Sequence, residues 1–221
     1  MLTHDGGSSV SAVLLPALGE PPSSLASLAS ALADVGVEAV VLPRRPRARF
    51  ADHVADTQRA IAAAGLSRAI VVGASYGGLI GCALVGATTW RGAGLVLLDS
   101  PHPLSHAVVR AYVGERAAVD LPNSEGVDLA DAMAAAGRCC LPGALGSVPI
   151  EVLSRGAGTW PGTDPDLPVA DRIWLSHQRL FGQLSTGARV RVLTGVGHDV
   201  ARDSPHDVVA AVLSVAAGVT N

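Results

Sequence analysis

Short, nearly continuous apolar runs recur along the chain at Val10 to Leu15, Val37 to Leu42, Ala69 to Val72, Gly94 to Leu98, Ile150 to Leu153 and Val190 to Leu193. Their length and their Val, Ile and Leu content predict strands. Between most of them lie Ala-rich stretches of helical length, Ser24 to Val35, Phe50 to Ala64 and Tyr76 to Val85, with Gly or Pro at the junctions. These predict helices. A strand covered by helices on both faces is apolar at successive positions. The early runs therefore predict a mainly parallel sheet of about six strands with right-handed crossovers and helices on both sides. The last run differs, because Arg189, Val190, Arg191 and Val192 alternate polar and apolar, the pattern of an edge strand with one wet face.

The strand–helix rhythm stops between Pro101 and Val148. Two weaker helical patterns occur there, about Leu104 to Val113 and Val127 to Gly137, separated by Pro122, Asn123 and Gly126. The expectation is a single domain over residues 1–221 with a small helical cap inserted at about 101–147; an ordinary pair of packing helices fits the same pattern. Farther on, Val169 to Leu184 sets Ile173 with Leu180 and Trp174 with Phe181 on one apolar helical face, which reads as core.

Composition narrows the function classes. An apolar share of 49% with 16% charged residues describes a chain able to bury a large core. The formal net charge of −3 offers no positive field for nucleic acid or an anionic membrane. A small-molecule substrate is therefore expected, with no nucleic-acid or membrane partner. Cys82, Cys139 and Cys140 are odd in number and two are adjacent, which points to reduced thiols and a cytoplasmic protein rather than a disulfide framework. No export signal or membrane-spanning run is recognisable. The His and Cys spacings match no metal site, so neither metal nor cofactor is expected.

The chemistry concentrates in two segments. After the strand Ala69 to Val72 comes Gly73-Ala74-Ser75-Tyr76-Gly77-Gly78 and then a helix of small residues. This is G-x-S-x-G between strand and helix, where a serine in a strained backbone conformation projects its hydroxyl and the residues two positions either side must be tiny. The amide of Tyr76 then lies at a helix N-terminus, suited to an oxyanion. Near the end of the chain, Gly195-Val196-Gly197-His198-Asp199 follows the last strand and precedes a helix start at Ser204-Pro205. This hangs a histidine on a loop at the carboxyl end of the sheet. His53, His177 and His206 fall within predicted helices and are poorer candidates.

With Ser75 followed by Asp99 and then His198, the chain resembles the α/β-hydrolase superfamily, whose nucleophile, acid and histidine occur in that order. The resemblance runs from the first strand to the final helix, and its specific motifs are the serine turn and the histidine loop. It implies Ser75 as nucleophile and His198 as general base. Asp99, at the carboxyl end of Gly94 to Leu98, is the favoured acid, with Asp164 and Asp166 as alternatives. Where many members carry His-Gly after the first strand, this chain has Pro16-Ala17-Leu18-Gly19. The Leu18 amide is the expected second oxyanion donor beside Tyr76, since a backbone N–H needs no particular side chain. The strands usual at the family's amino end are expected to be absent or reduced.

Arg44, Arg45, Arg47 and Arg49 follow the second strand. Arg44 and Arg45 are candidate contacts for an anionic or carrier-linked substrate, although most such runs are solvated loops. The leading expectation is hydrolysis of an ester or thioester through an acyl-enzyme. The alternatives are a specialised cyclase, lyase or acyl transferase using the same site, or a hydrolase-like ligand-binding protein without catalysis. Substrate and oligomeric state are not legible.

Overall fold

The computed structural model describes residues 10–66, 68–87, 92–105, 108, 124–159 and 167–219. Six strands, β1 (Ser11–Leu15), β2 (Glu38–Val41), β3 (Ile70–Ala74), β4 (Gly94–Leu98), β5 (Ile150–Arg155) and β6 (Ala188–Leu193), form one sheet in the order β2-β1-β3-β4-β5-β6. All five pairings are parallel. The helices that accompany them among the described residues include α1 (Ala26–Asp34), α2 (Phe50–Ala63), α3 (Tyr76–Gly86), α4 (Leu129–Ala136), α5 (Leu167–Phe181), α6 (Val200–Asp203) and α7 (Pro205–Val219). Short 3-10 turns at Pro22–Leu25 and Gly137–Cys140 precede α1 and follow α4.

Alternate residues of the central strands feed two cores. Val13, Leu15, Val71, Leu95, Leu97 and Val152 join Phe50, Ile61, Leu79, Ile80, Met133 and Phe181 from α2, α3, α4 and α5 on one face. On the other face, Leu14, Ile70, Val72, Val96 and Leu98 meet Leu28 and Leu32 of α1 and Val208, Ala211, Val212 and Val215 of α7. This two-sided burial is why β1, β3 and β4 are apolar at nearly every position, whereas β5 is equally buried but carries Glu151, Ser154 and Arg155. β6 is an edge strand, and its alternating sequence matches its partly wet face. β2 departs from the expectation. Its run from Val37 to Leu42, interrupted only by Glu38, predicts burial on both faces, but the topology sets it at the opposite edge, where its residues are only partly covered. Periodicity reports local polarity, whereas edge position depends on strand order.

Of the expected insertion, residues 109–123 lie outside the described residues. The described part packs α4 on α2 and α3, with Ala132, Met133 and Ala136 in the first core. No helix among the described residues is long and apolar enough to cross a membrane.

The register positions the chemistry. Ala74 pairs with Leu98, and Leu98 with Leu153. Ser75 and Asp99 therefore each stand one residue past the carboxyl ends of neighbouring central strands. The Ser75 amide donates to the Leu98 carbonyl at 2.9 Å and the Asp99 amide to the Leu153 carbonyl at 2.7 Å, which continues the ladder under both residues.

Candidate active site

Ser75 occupies the turn between β3 and α3 with φ 48° and ψ −116°. A non-glycine residue there stores strain on the order of 1–3 kcal/mol, so the surroundings must enforce it. They do so through close backbone approach. A Cβ on Gly73 would lie 2.5 Å from the Gly78 Cα, and one on Gly77 would strike the Leu15 carbonyl and come within 2.8 Å of the Pro16 carbonyl oxygen. Gly81 would press its Cβ to 2.9 Å from the Leu95 side chain. The small residues that flank the serine thus let the first turn of α3 lie directly on the end of β1 and on β4. Ser75 is 7% exposed, and its hydroxyl has no hydrogen-bond partner among the described residues.

Asp99 also has positive φ, at 42°, and is fully buried. Its carboxylate is closely surrounded. Oδ1 accepts from the Trp174 indole N–H at 2.8 Å, the Arg155 amide at 3.1 Å and the Ser154 hydroxyl at 3.2 Å. Oδ2 lies 2.7 Å from His198 Nδ1 and 3.6 Å from Arg155 Nε. A carboxylate can only accept, so His198 Nδ1 donates in that bond and Nε2 is the ring nitrogen turned away from Asp99. The imidazole is 34% exposed and meets Trp174 edge to face, with centroids 6.1 Å apart. Its loop is pinned by the Gly156 amide on the Val196 carbonyl at 2.9 Å and the Gly197 amide on Asp203 at 3.0 Å. Asp199 caps α6, accepting from the Arg202 amide.

The Tyr76 amide is the first N–H of α3, and the Leu18 amide lies in the turn after β1. The contact of Gly77 with Leu15 and Pro16 makes those two segments neighbours. The Tyr76 side chain points into the core, its hydroxyl 3.0 Å from His53 Nδ1, and burial pushes the phenol pKa up against the opposing pull of Arg44. Close to Asp99, His102 is buried with its pKa lowered to about 4, chiefly by desolvation. Among the described residues, no three His, Cys, Asp or Glu side chains gather as metal ligands.

The structure therefore brings Asp99 and His198 together and sets Ser75 on the strand beside Asp99. Asp164 and Asp166 fall outside the described residues. Arg44 is corrected: it is not a free cation at the rim. Its side chain is 4% exposed, and its guanidinium is occupied by Glu125 and by the carbonyls of Pro16 and Ala17. Arg45 is 64% exposed and bonded to Asp56 at 2.5 Å. Three residues escaped the sequence reading. Trp174 has its apolar spacing as expected, but its one polar atom is spent on Asp99. Ser154 and Arg155 end β5 and place a hydroxyl, an amide and a guanidinium around the Asp99 carboxylate. An indole N–H inside a protein needs an acceptor, but nothing in the sequence around Trp174 names Asp99, 75 residues away.

Comparison with solved structures agrees with this architecture. The chain is similar to a bromoperoxidase from Bacillus anthracis with a TM-score of 0.66 at 13% identity, covering 96% of this chain and 93% of that one. It is similar to MGS-MChE2, an alpha/beta hydrolase enzyme from the metagenome of lagoon sediments of Mar Chica, Morocco, with a TM-score of 0.64 at 15% identity, covering 91% and 88% of the two chains. A third is the enol-lactonase from Burkholderia xenovorans LB400, with a TM-score of 0.60 at 18% identity and coverage of 96% and 92%. No family model and no curated protein matches the chain. The chain has the α/β-hydrolase fold.

Proposed function

We propose that the protein is a serine hydrolase that cleaves an ester or thioester of a small molecule through an acyl-enzyme. The observation that carries the reading is the 2.7 Å Asp99–His198 pair beside a serine held at positive φ on the adjacent strand. Two strained, non-glycine residues at the ends of neighbouring strands, one bearing a hydroxyl and the other an imidazole partner, are costly to maintain for folding alone. Hydrolytic activities also appear among the structural neighbours, including a lactonase and an enzyme that degrades N-acyl homoserine lactones.

In this mechanism Ser75 Oγ attacks the acyl carbonyl while His198 Nε2 accepts its proton. Asp99 keeps the ring in the required tautomer and offsets the imidazolium charge that develops. The Leu18 and Tyr76 amides hold the oxyanion. His198 then returns the proton to the leaving alkoxide or thiolate, giving the Ser75 acyl ester, and next activates a water that releases the acid. The Ser75–His198 hydrogen bond that this step needs forms as substrate fills the site, since catalytic contacts are often made only in the substrate complex.

Turnover of p-nitrophenyl acetate tests the assignment. The Ser75→Ala variant retains its circular dichroism spectrum and loses turnover to the background of the oxyanion donors, at least about 10³-fold below the unaltered chain. Equal turnover by the two proteins removes Ser75 from the mechanism.

A further inference from the structure

We propose that Arg44 and Glu125 are positioning residues that set the direction of the Leu18 amide, and so build one half of the oxyanion site from outside it. The inference rests on the serine-hydrolase reading above, because it assigns the Leu18 N–H to the oxyanion. Its basis is peptide geometry. In a trans peptide the carbonyl of one residue and the N–H of the next share a plane and point in opposite directions. Arg44 Nη2 donates to the Ala17 carbonyl at 2.6 Å, which fixes the plane that carries the Leu18 N–H and turns that N–H away from the guanidinium. Glu125 Oε1 accepts the Gly19 amide at 2.9 Å, which fixes the next plane, the one that carries the Leu18 carbonyl. Both peptide planes of Leu18 are thereby gripped by one ion pair, which adds to the turn bond from the Glu20 amide to the Ala17 carbonyl at 3.2 Å. Arg44 Nη1 also donates to the Pro16 carbonyl.

The pair is built for rigidity. Arg44 Nε donates to Glu125 Oε2 at 3.0 Å and Nη2 to Oε1 at 2.5 Å, a two-pronged contact that defines orientation as well as distance. Burial alone would raise the Glu125 pKa, but the hydrogen bond and charge of Arg44 and the Gly19 amide hold it below the ordinary value. The Arg47 amide in turn donates to the Glu125 carbonyl at 2.6 Å, so the carboxylate is delivered by an anchored backbone. The guanidinium also lies 5.4 Å from the centre of the Tyr76 ring. One side chain therefore touches both the loop carrying Leu18 and the residue carrying the other proposed donor. Lysine, with no planar fork, cannot grip two carbonyls and a carboxylate in this way.

The test compares Arg44→Gln, Arg44→Lys, Glu125→Gln and Glu125→Ala with the unaltered protein, using p-nitrophenyl acetate as substrate and phenylboronic acid as a probe that forms a tetrahedral adduct on serine. Loss of a correctly aimed oxyanion donor lowers kcat by about 10²-fold. We expect Arg44→Gln and Glu125→Ala to approach that loss with KM changed less than about threefold, and the boronate dissociation constant to rise in step with the fall in kcat. Glu125→Gln keeps an oxygen for the Gly19 amide and falls between. Arg44→Lys does not restore activity. Because Arg44 is almost fully buried, the graded pair at Glu125 decides the matter even where Arg44→Gln fails to fold. Folded Glu125 variants with unaltered kcat and boronate affinity overturn the inference, as does a change confined to KM. If the unaltered protein shows neither Ser75-dependent turnover nor boronate binding, the hydrolase reading itself has failed; if it shows both and the variants match it, only the positioning role falls.

Discussion

Arg155 offers the sharpest test of how the buried charges beneath the site are balanced. Its side chain is completely buried. The guanidinium lies 2.7 Å from Asp171 and 3.6 Å from Asp99, and 5.7 Å from the Trp174 ring centre. Burial lowers its pKa, and the two carboxylates oppose that effect. Arg155→Met keeps much of the stem but leaves two buried carboxylates with no guanidinium between them. Breaking a buried pair by removing one partner costs about 3–5 kcal/mol, a large part of a typical total stability of about 5–15 kcal/mol. For a chain of this size that is a fall in Tm of roughly 6–20 °C. Asp171→Asn in the same background removes the stranded charge and retains an oxygen for the Gly158 amide, which Asp171 accepts at 2.6 Å. The double variant is therefore expected to recover at least half of the loss. Urea unfolding of the four proteins in the cycle measures the coupling directly. An Arg155→Met loss under about 1 kcal/mol, or a double variant no more stable than the single one, refutes the charge argument.

Asp99→Asn keeps an oxygen for Trp174 and the Arg155 amide but presents an NH₂ to His198, which reverses the ring's tautomer; kcat for p-nitrophenyl acetate is expected to fall about 10³–10⁴-fold, and a loss under tenfold would exclude Asp99 as the partner that orients the imidazole. His102 predicts a pH dependence of stability. Its folded pKa of about 4 lies below the ordinary 6.5, so between those values the unfolded chain binds the additional proton. Stability is complete above pH 6.5 and declines as pH falls toward 4, by an amount on the order of 2–3 kcal/mol. His102→Gln, measured by urea unfolding across that range, should flatten the decline. An unchanged slope would assign it to other groups.

The strands were legible because each central run is buried on both faces, and β6 was legible because alternating arginines mark a wet face. The helices beginning at Phe50, Tyr76 and Pro205 were marked by Ala-rich spacing or by a proline start. β2 misled for a physical reason. Its valines look like those of β3, and only strand order distinguishes an edge from a centre. At the candidate site, the position of the serine turn was legible because its glycines are sterically obligatory, and that of Asp99 because it follows a strand's carboxyl end. The cradle of Asp99 was not readable. Arg155 and Trp174 reach it only because β5 lies beside β4 and α5 crosses their ends, and no local pattern encodes that meeting. Arg44 shows the same limit from the other side. A cluster of arginines suggested an anionic partner, but the carboxylate that takes Arg44 is the chain's own Glu125, 81 residues away.

In the proposed mechanism one hydroxyl among the chain's many, that of Ser75, is nucleophilic. Treating the protein with a fluorophosphonate at neutral pH and mapping the adduct by peptide mass spectrometry tests this without any assumption about the natural substrate. A single phosphonyl group on the peptide containing Ser75, absent after His198→Ala, is the predicted result. A protein that remains unmodified, or that carries the adduct on another serine, contradicts it.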